Sequence, residues 1–470
     1  MIVALVLGPI VAGFVMYAFP KKGSTARWFA VAIAAASLVI VWLAAEAPDE
    51  AAHWLSRPFS AAFHFGIGGV SFWLALLLAL CTVCALLASN VARLRDFAAL
   101  LLILEGSMMG LFLARDLLVF AVFWDLMLIP VFLLLLGWGH HPATAWRYII
   151  YNFAGGLTLL LATAAFGVAF GSTDVIGKAG LAHLGNVWQP WIFAGFAFSF
   201  LIKTPVWPLH TWMPATYADS PGPLAAIIGA VQSKAGLYGF IAIGMGLLPE
   251  SMRAAAPLMF VLGLIALVYG ALIALVQTDA KKIVAYSSLS HLGLILLAIF
   301  SFNPVTLRGA IVYIVAHGLF SAALFLVIDF VEQREETRSL LRMGGLGSHN
   351  PKLAGALTIA ALAALGLPGL AGFAGELMIL SGLYAAGDVW PALIALIPIV
   401  LAAAYMLRLF QDIMNGPPVA DLPERRDMTL IEGIALAPLV LAMVLVGVDP
   451  HPLTTFSDQS YSVNPVMVRK

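Results

Sequence analysis

From residue 1 to residue 448 the sequence is a succession of apolar runs separated by short polar connections. A helix of roughly 20 residues crosses a bilayer core of roughly 30 Å, so each run is a candidate membrane span. The candidate spans number fourteen: 1–19, 27–45, 68–88, 96–114, 117–137, 147–170, 189–206, 221–246, 254–276, 283–302, 306–331, 353–384, 389–410 and 429–448. The expected fold is an all-α integral membrane protein. Composition agrees, with 62% hydrophobic and 10% charged residues where a soluble domain carries roughly 25% charged. The first run, MIVALVLGPIVAGFVMYAF, has no basic residues ahead of it and no small-residue cleavage site. It is expected to be a first spanning helix rather than a removable signal.

Zero net charge gives no reason to expect a nucleic-acid partner. Cys81 and Cys84 stand in CTVC inside an apolar run, with no second pair elsewhere. They read as small core residues rather than metal ligands or a disulfide. GGLGSHN (344–350) follows no strand, which argues against a phosphate loop. The longest polar connections, 332–352 and 411–428, are too short for an extra domain.

The basic residues divide unevenly between the two ends of the spans. Connections after odd-numbered spans hold Lys21, Lys22, Arg27, Arg93, Arg95, Arg147, Lys281, Lys282, Arg334, Arg338, Arg342, Lys352, Arg408, Arg425 and Arg426. The other end holds Arg57, Arg115, Lys178, Arg253, Arg308, Arg469 and Lys470. Lys and Arg accumulate on the cytoplasmic side, so both termini are expected on the non-cytoplasmic side. Of the 24 basic residues this leaves Lys203 and Lys234, which fall inside spans.

The acids leave a similar remainder: Glu105, Asp125 and Glu376 lie within apolar runs, as do His291 and His317. A charge at bilayer depth costs at least about 2.5–3.5 kcal/mol on insertion scales and normally faces protein or water. Taken singly, each of these groups reads equally well as a helix-to-helix lock. Interhelical polar contacts contribute only about 0.6 kcal/mol on average, poor compensation for so many insertion penalties, so function is the favoured reading. Lysine, histidine and carboxylate are also the side chains whose proton affinity burial and neighbouring charge move most. That suits a pump element; no pattern of nucleophile with base, zinc ligands or haem ligands accompanies it.

Two spans are interrupted. In SFLIKTPVWPLHTWMP (199–214), Pro205 and Pro208 follow Lys203 and cannot continue the helical ladder. In GLPGLAGFAGE (366–376), Pro368 and four glycines precede Glu376. Irregular backbone at membrane depth is tolerated only against protein or a water-filled cavity, and broken helices in corresponding halves point to a transporter built from repeats. Spans 4–8 and 9–13 would be the repeats, with helices 7 and 12 broken. The expected division is 1–95 (three N-terminal helices), 96–246 and 254–410 (the two five-helix repeats), and 411–470 (a connecting loop and helix 14).

At this point VFWDLMLIPVFLLLLGWG, LIKTPVWPLHTWMP, VQSKAGLYGF, DAKKIVAYSSLSHLGL, AHGLFSAALFL and GLPGLAGFAGELMIL, in this order, resemble the antiporter-like proton-pumping subunits of respiratory complex I. The resemblance covers roughly residues 65–450. It implies fourteen helices with two inverted five-helix repeats and a proton path along the membrane midplane. By motif, it implies that Asp125 is the helix-5 carboxylate pairing with the helix-7 lysine, Lys203. It likewise makes Lys234 the connecting lysine, His291 and His317 the relay histidines, and Glu376 the terminal acid, where sister subunits usually carry lysine. Glu105, His210 and Tyr238 are accessory candidates. Departures are the shorter Asp125 in place of the usual glutamate, MPATYADSP in place of a pattern with an acid and a histidine at Ala215 and Tyr217, and a glycine near residue 69 where an aspartate is common.

The resemblance implies no cofactor and no metal in this chain, membrane-arm subunits of complex I on both flanks, contact with lipid, and residence in the bacterial plasma membrane ahead of the mitochondrial inner membrane. Redox energy would come from partner subunits. Two other readings stand beside it: a subunit of a cation/proton antiporter or membrane-bound hydrogenase of the same fold, and a structural subunit that has lost transport.

Overall fold

The computed structural model describes residues 1–18, 25–176, 187–417 and 426–460, with side chains to residue 455. Lys21, Lys22, Lys178, Arg425, Arg469 and Lys470 of the charge census, and parts of the 411–470 segment, lie outside the described residues.

The chain begins with α1 (Ile2–Val15) and α2 (Thr25–Leu43), followed by an antiparallel hairpin, β1 (Glu50–Leu55) and β2 (Ala61–Phe65). Then come α3 (Val70–Ala88), α4 (Leu94–Leu113), α5 (Leu117–Leu126), α6 (Leu128–Trp138), α7 (Pro142–Phe170) and α8 (Gln189–Lys203). After the break follow α9 (Met213–Asp219), α10 (Gly222–Ile227) and α11 (Lys234–Gly239), with π-helical turns at Ile228–Gln232 and Phe240–Met245. The second half holds α12 (Pro249–Val276), α13 (Ala280–Phe300), α14 (Pro304–Glu335), α15 (Pro351–Ala364), α16 (Ala371–Ala385) and α17 (Val389–Met414). The order ends with α18 (Leu430–Val448) and α19 (His451–Ser460).

Every apolar run contains helix, and among the described residues eleven helices are long and apolar enough to cross a membrane. The chain is a helical integral membrane protein. The hairpin is an addition to the all-α expectation. It caps one end of the bundle, where the Gly66 amide bonds the Leu113 carbonyl at 2.8 Å and the Arg115 amide bonds the His64 carbonyl at 2.8 Å.

Helix starts follow local chemistry. Asp116, Asp279 and Asn303 each accept two backbone amides at the heads of α5, α13 and α14, and Thr429 with Glu432 forms a capping box at α18. A helix apolar all round belongs inside a larger assembly of helices. The 222–245 segment, α13 and α14 are accordingly buried on every side. α2, α7, α12, α17 and α18 form the periphery and turn large apolar side chains outward, among them Trp42, Leu161, Val276, Val400 and Leu441.

Connections after odd-numbered spans gather at one end of the bundle. There Arg27 donates to the Ser89 carbonyl at 2.6 Å, Arg93 to the Gly137 carbonyl at 2.6 Å, and Arg338 to the Ala218 carbonyl at 2.6 Å. At the opposite end His64 lies between Asp174 at 2.6 Å and Asp49 at 3.3 Å.

Candidate functional site

Asp125, Lys203, Lys234 and Glu376 stand where the backbone is irregular, whereas His291 and His317 lie inside the regular helices α13 and α14. Asp125 is at the end of α5, and the next helix carries Pro130 in its first turn, which cannot supply the amide hydrogen that would continue one helix into the other. Lys203 is the last residue of α8; Pro205 is buried and Pro208 exposed in the turns that follow. Lys234 lies between the two π-helical turns. Glu376 follows the break between α15 and α16, where Pro368 stands.

Glycines clear space for the carboxylates. A Cβ on Gly156 of α7 would fall 1.8 Å from Asp125 Oδ1. One on Gly366, whose φ is +76°, would fall 2.3 Å from Glu376 Oε2. One on Gly375 would fall 2.7 Å from Tyr313 Cβ, so the lack of a side chain there lets α14 and α16 close on each other.

In the second half these groups form a bonded chain. Lys234 Nζ donates to the Gly229 carbonyl at 2.6 Å and to Ser233 Oγ at 3.2 Å, and lies 2.6 Å from His317 Nδ1. The π turn makes this possible: the Ser233 amide bonds back to Ile228 rather than to Gly229, leaving the Gly229 carbonyl for the ammonium. The His317 and His291 rings are 5.6 Å apart, edge to face. His291 Nδ1 lies 2.6 Å from Tyr313 Oη, and Tyr313 Oη donates to Glu376 Oε1 at 2.5 Å. On its other side His291 Nε2 lies 3.0 Å from Ser287 Oγ, which accepts from Tyr405 Oη at 3.1 Å.

With Glu376 ionised and His291 neutral, proton inventory sets the direction of these bonds, because each hydroxyl has one hydrogen to give. Tyr313 gives its hydrogen to Glu376, so its oxygen accepts from His291 Nδ1–H. His291 Nε2 then accepts from Ser287, and Ser287 accepts from Tyr405. The run Tyr405–Ser287–His291–Tyr313–Glu376 points one way and ends on a carboxylate.

The first half is different. Lys203 Nζ is 5.2 Å from the centre of the Trp124 ring and within electrostatic reach of Asp125. Among the described residues no ion pair within 4.0 Å joins Asp125 to Lys203. Lys203 Nζ, Asp125 Oδ1, Thr204 Oγ1, Ser199 Oγ and Trp124 Nε1 are all buried without a hydrogen-bond partner. Buried polar groups are almost always bonded to protein or to ordered water; this cluster is a set of unbonded polar groups rather than a closed ion pair.

Of the accessory candidates, none joins the bonded chain. Glu105 lies on α4 beside Ser37 of α2. His210 is buried with its ring edge-on to Tyr269 at 5.3 Å. Tyr238 donates to the Phe112 carbonyl at 3.0 Å. Cys81 and Cys84 are buried free thiols. Tyr313, Tyr405 and Ser287 were not singled out by sequence reasoning; Ser287 and Tyr313 stand one turn before His291 and His317, and Tyr405, on α17, has no such signal.

Broken helices, buried cations and a chain of titratable groups at the core define a membrane protein of the ion-translocating class. Comparison with known proteins makes the assignment narrower. Residues 114–402 match the family model described as NADH:quinone oxidoreductase/Mrp antiporter, TM, and the chain belongs to this family. It is similar to NAD(P)H-quinone oxidoreductase chain 4 1 of Synechococcus sp. (strain JA-3-3Ab), 34% identical with 99% of this chain and 92% of the relative covered. It is also similar to NADH-quinone oxidoreductase subunit M of Pseudomonas aeruginosa, 32% identical with 97% and 96% covered. Among solved structures, a chain of respiratory complex I from Thermus thermophilus with bound NADH superposes with a TM-score of 0.88 at 31% identity, covering 98% of this chain and 99% of that one. A chain of the Mrp complex from Dietzia sp. gives the same TM-score at 20% identity, with 99% and 98% covered, a likeness of fold.

If Tyr313 is the link between His291 and Glu376, Tyr313→Phe removes a hydrogen bond to a charged group, worth about 1.5–3 kcal/mol. Proton translocation by the assembled complex is expected to fall about tenfold or more, 1.36 kcal/mol being a factor of ten. Proton release per electron, measured in sealed vesicles, checks this.

Proposed function

We propose that this chain is a proton-translocating membrane-arm subunit of an NADH:quinone oxidoreductase, of the kind called subunit M or chain 4 in its relatives, carrying protons for a machine whose redox chemistry lies in partner subunits. The observation that carries this reading is the oriented run of donors from Tyr405 through His291 and Tyr313 to Glu376. A helix-locking cluster would have no reason to point every hydrogen toward one carboxylate.

The proposed path begins at Asp125 and Lys203, whose unbonded neighbours water would satisfy. A proton held near Lys203 passes by water to Lys234, whose three ammonium hydrogens face Gly229, Ser233 and His317. His317 accepts at Nδ1 and gives up the hydrogen on Nε2 across the gap to the His291 group. His291 takes that proton at Nε2 in place of the Ser287 bond and gives its Nδ1 hydrogen to Tyr313, whose own hydrogen passes to Glu376, which releases it on the far side. Moving a charge toward Asp125 in a neighbouring subunit draws Asp125 away from Lys203 and lowers the affinity of Lys203 for its proton. One charge against 100 mV costs about 2.3 kcal/mol, which a swing of two pKa units, about 2.7 kcal/mol, covers.

Partner subunits on both flanks suit the surface. Leu367, Pro368 and Gly369 form a break in the middle of the 351–385 segment and are exposed on this chain, and lipid does not tolerate irregular backbone at its core. A neighbouring protein covering that break satisfies the requirement. We assign the arginine-rich end of the bundle to the cytoplasm, both termini to the other side, the membrane to the bacterial plasma membrane, and residues 96–246 and 254–410 to the two inverted repeats. The binding of cofactors falls to the partners in this reading.

The fold also occurs in the Mrp complex, so a cation/proton antiporter subunit is the competing assignment. Purification of the tagged chain from its own membranes, with identification of the accompanying subunits, separates them: NADH- and quinone-binding subunits are expected. In the complex so obtained, Lys203→Ala is expected to lower proton translocation several-fold while assembly persists. Normal pumping in that variant would remove Lys203 from the path, and antiporter subunits alone in the purified material would overturn the assignment.

A further inference from the structure

Residues four apart on a helix share one face, and on α14 this places His317, Ser321, Phe325 and Asp329 in one column about 18 Å long at 1.5 Å per residue. His317 begins it at the Lys234 ammonium. One turn on, Ser321 is 1% exposed and its Oγ has no hydrogen-bond partner among the described residues. It lies against Gly229, the residue whose carbonyl holds Lys234: a Cβ there would come 3.2 Å from Ser321 Oγ and 2.7 Å from the Phe325 ring. At the third level Phe325 meets the buried ring of Tyr217 edge-on at 5.6 Å. At the fourth, Asp329 lies 3.7 Å from Lys281 Nζ and accepts from the Gly222 amide at 2.7 Å. Lys281 Nζ is 2.6 Å from Glu332, and Asp329 and Glu332 retain 11% and 21% side-chain exposure.

None of the groups beyond His317 serves the relay described above. An ion cluster of this kind is weak evidence for a stabilising role, and an unbonded buried hydroxyl destabilises unless it has a use. We propose that this column is a proton entry branch leading from the Asp329–Lys281–Glu332 cluster at the arginine-rich end, past the Phe325–Tyr217 contact as its barrier, along the Ser321 hydroxyl to His317 and Lys234. A proton taken up on a carboxylate of the cluster leaves it as the Phe325 ring swings aside, is handed on by water hydrogen-bonded to Ser321, and arrives on the Lys234 amine or the His317 ring; no electron moves. The branch rests on the relay reading of Lys234.

The test uses the intact complex in sealed vesicles. Ser321→Val and Ser321→Thr share one shape and differ by the hydroxyl; the valine variant is expected to lower protons moved per electron at least about threefold, a small hydrogen-bond effect, with Ser321→Thr restoring them. Phe325→Ala is expected to make an imposed pH gradient decay faster with no electron donor present. Wild-type coupling in Ser321→Val overturns the branch; should that variant not assemble, a tight Phe325→Ala vesicle overturns it instead. Lys234→Met separates the two readings. If it pumps, the relay itself falls; if it does not pump while Ser321→Val behaves as wild type, the branch alone falls.

Discussion

Lys234→Met is expected to abolish proton translocation in the assembled complex. The substitution keeps an unbranched apolar stem but removes an ammonium bonded to the Gly229 carbonyl and lying 2.6 Å from His317 Nδ1. Each hydrogen bond to a charged group is worth about 1.5–3 kcal/mol, so loss of both corresponds to at least about a hundredfold at 1.36 kcal/mol per factor of ten. Lys234 is also in contact with the bonded second half and, through the π turns, adjacent to the unbonded polar cluster of the first. Gly236, two residues on, permits that closeness, since a Cβ there would come 2.2 Å from the Phe200 carbonyl and from Thr204 Oγ1. The measurement is proton release during quinone reduction, with complex assembly followed in parallel. Pumping above a few per cent of wild type would show that protons bypass this residue.

Glu376→Gln should be nearly as damaging, for a different reason. The amide oxygen still accepts the Tyr313 hydrogen, and the side chain still fits against Gly366, so packing is preserved. What is lost is the ability to hold and release a proton at the end of the run. Translocation is expected to fall at least about a hundredfold with normal assembly, the low end of what proton transfer by a positioned side chain contributes. Glu376→Asp, which keeps the acid but withdraws it by one methylene, is expected to retain part of the activity. If the glutamine variant pumps and the aspartate variant does not, Glu376 acts by shape and the terminal-acid role is wrong.

What the sequence makes legible is governed by cost. Lys203, Lys234, Asp125, His291, His317 and Glu376 stand out in apolar runs because each is expensive in lipid, and the helices stand out because lipid requires them. Tyr313, Tyr405 and Ser287 carry no such penalty in a helix and look like ordinary packing residues until the fold brings them to hydrogen-bonding distance. Ser287 and Tyr405 are 118 positions apart in sequence, a separation local patterns do not reach. The π turns are also silent in composition. They arise in IGAVQSKAGLYGF, where glycines permit close helix contacts but nothing announces a shifted hydrogen-bond register. The hairpin at 50–65 escaped attention because its strands are short and lie between spans, where a polar connection was expected. The separation of Asp125 from Lys203 was foreseeable in part, since aspartate is the shorter acid, but the surrounding unbonded atoms became visible only in three dimensions.

The one-way order of hydrogens from Tyr405 to Glu376 carries a memory. In the proposed path from His291 through Tyr313 to Glu376, both links end up donating backward: the His291 tautomer is exchanged, and Tyr313 turns toward His291. The next passage must wait until the Tyr313 hydroxyl rotates and the imidazole trades its hydrogen from one nitrogen to the other. On that path, resetting the Tyr313 hydroxyl and the His291 tautomer sets a dead time after each transfer, and until it is complete the chain is turned to favour a proton returning from Glu376.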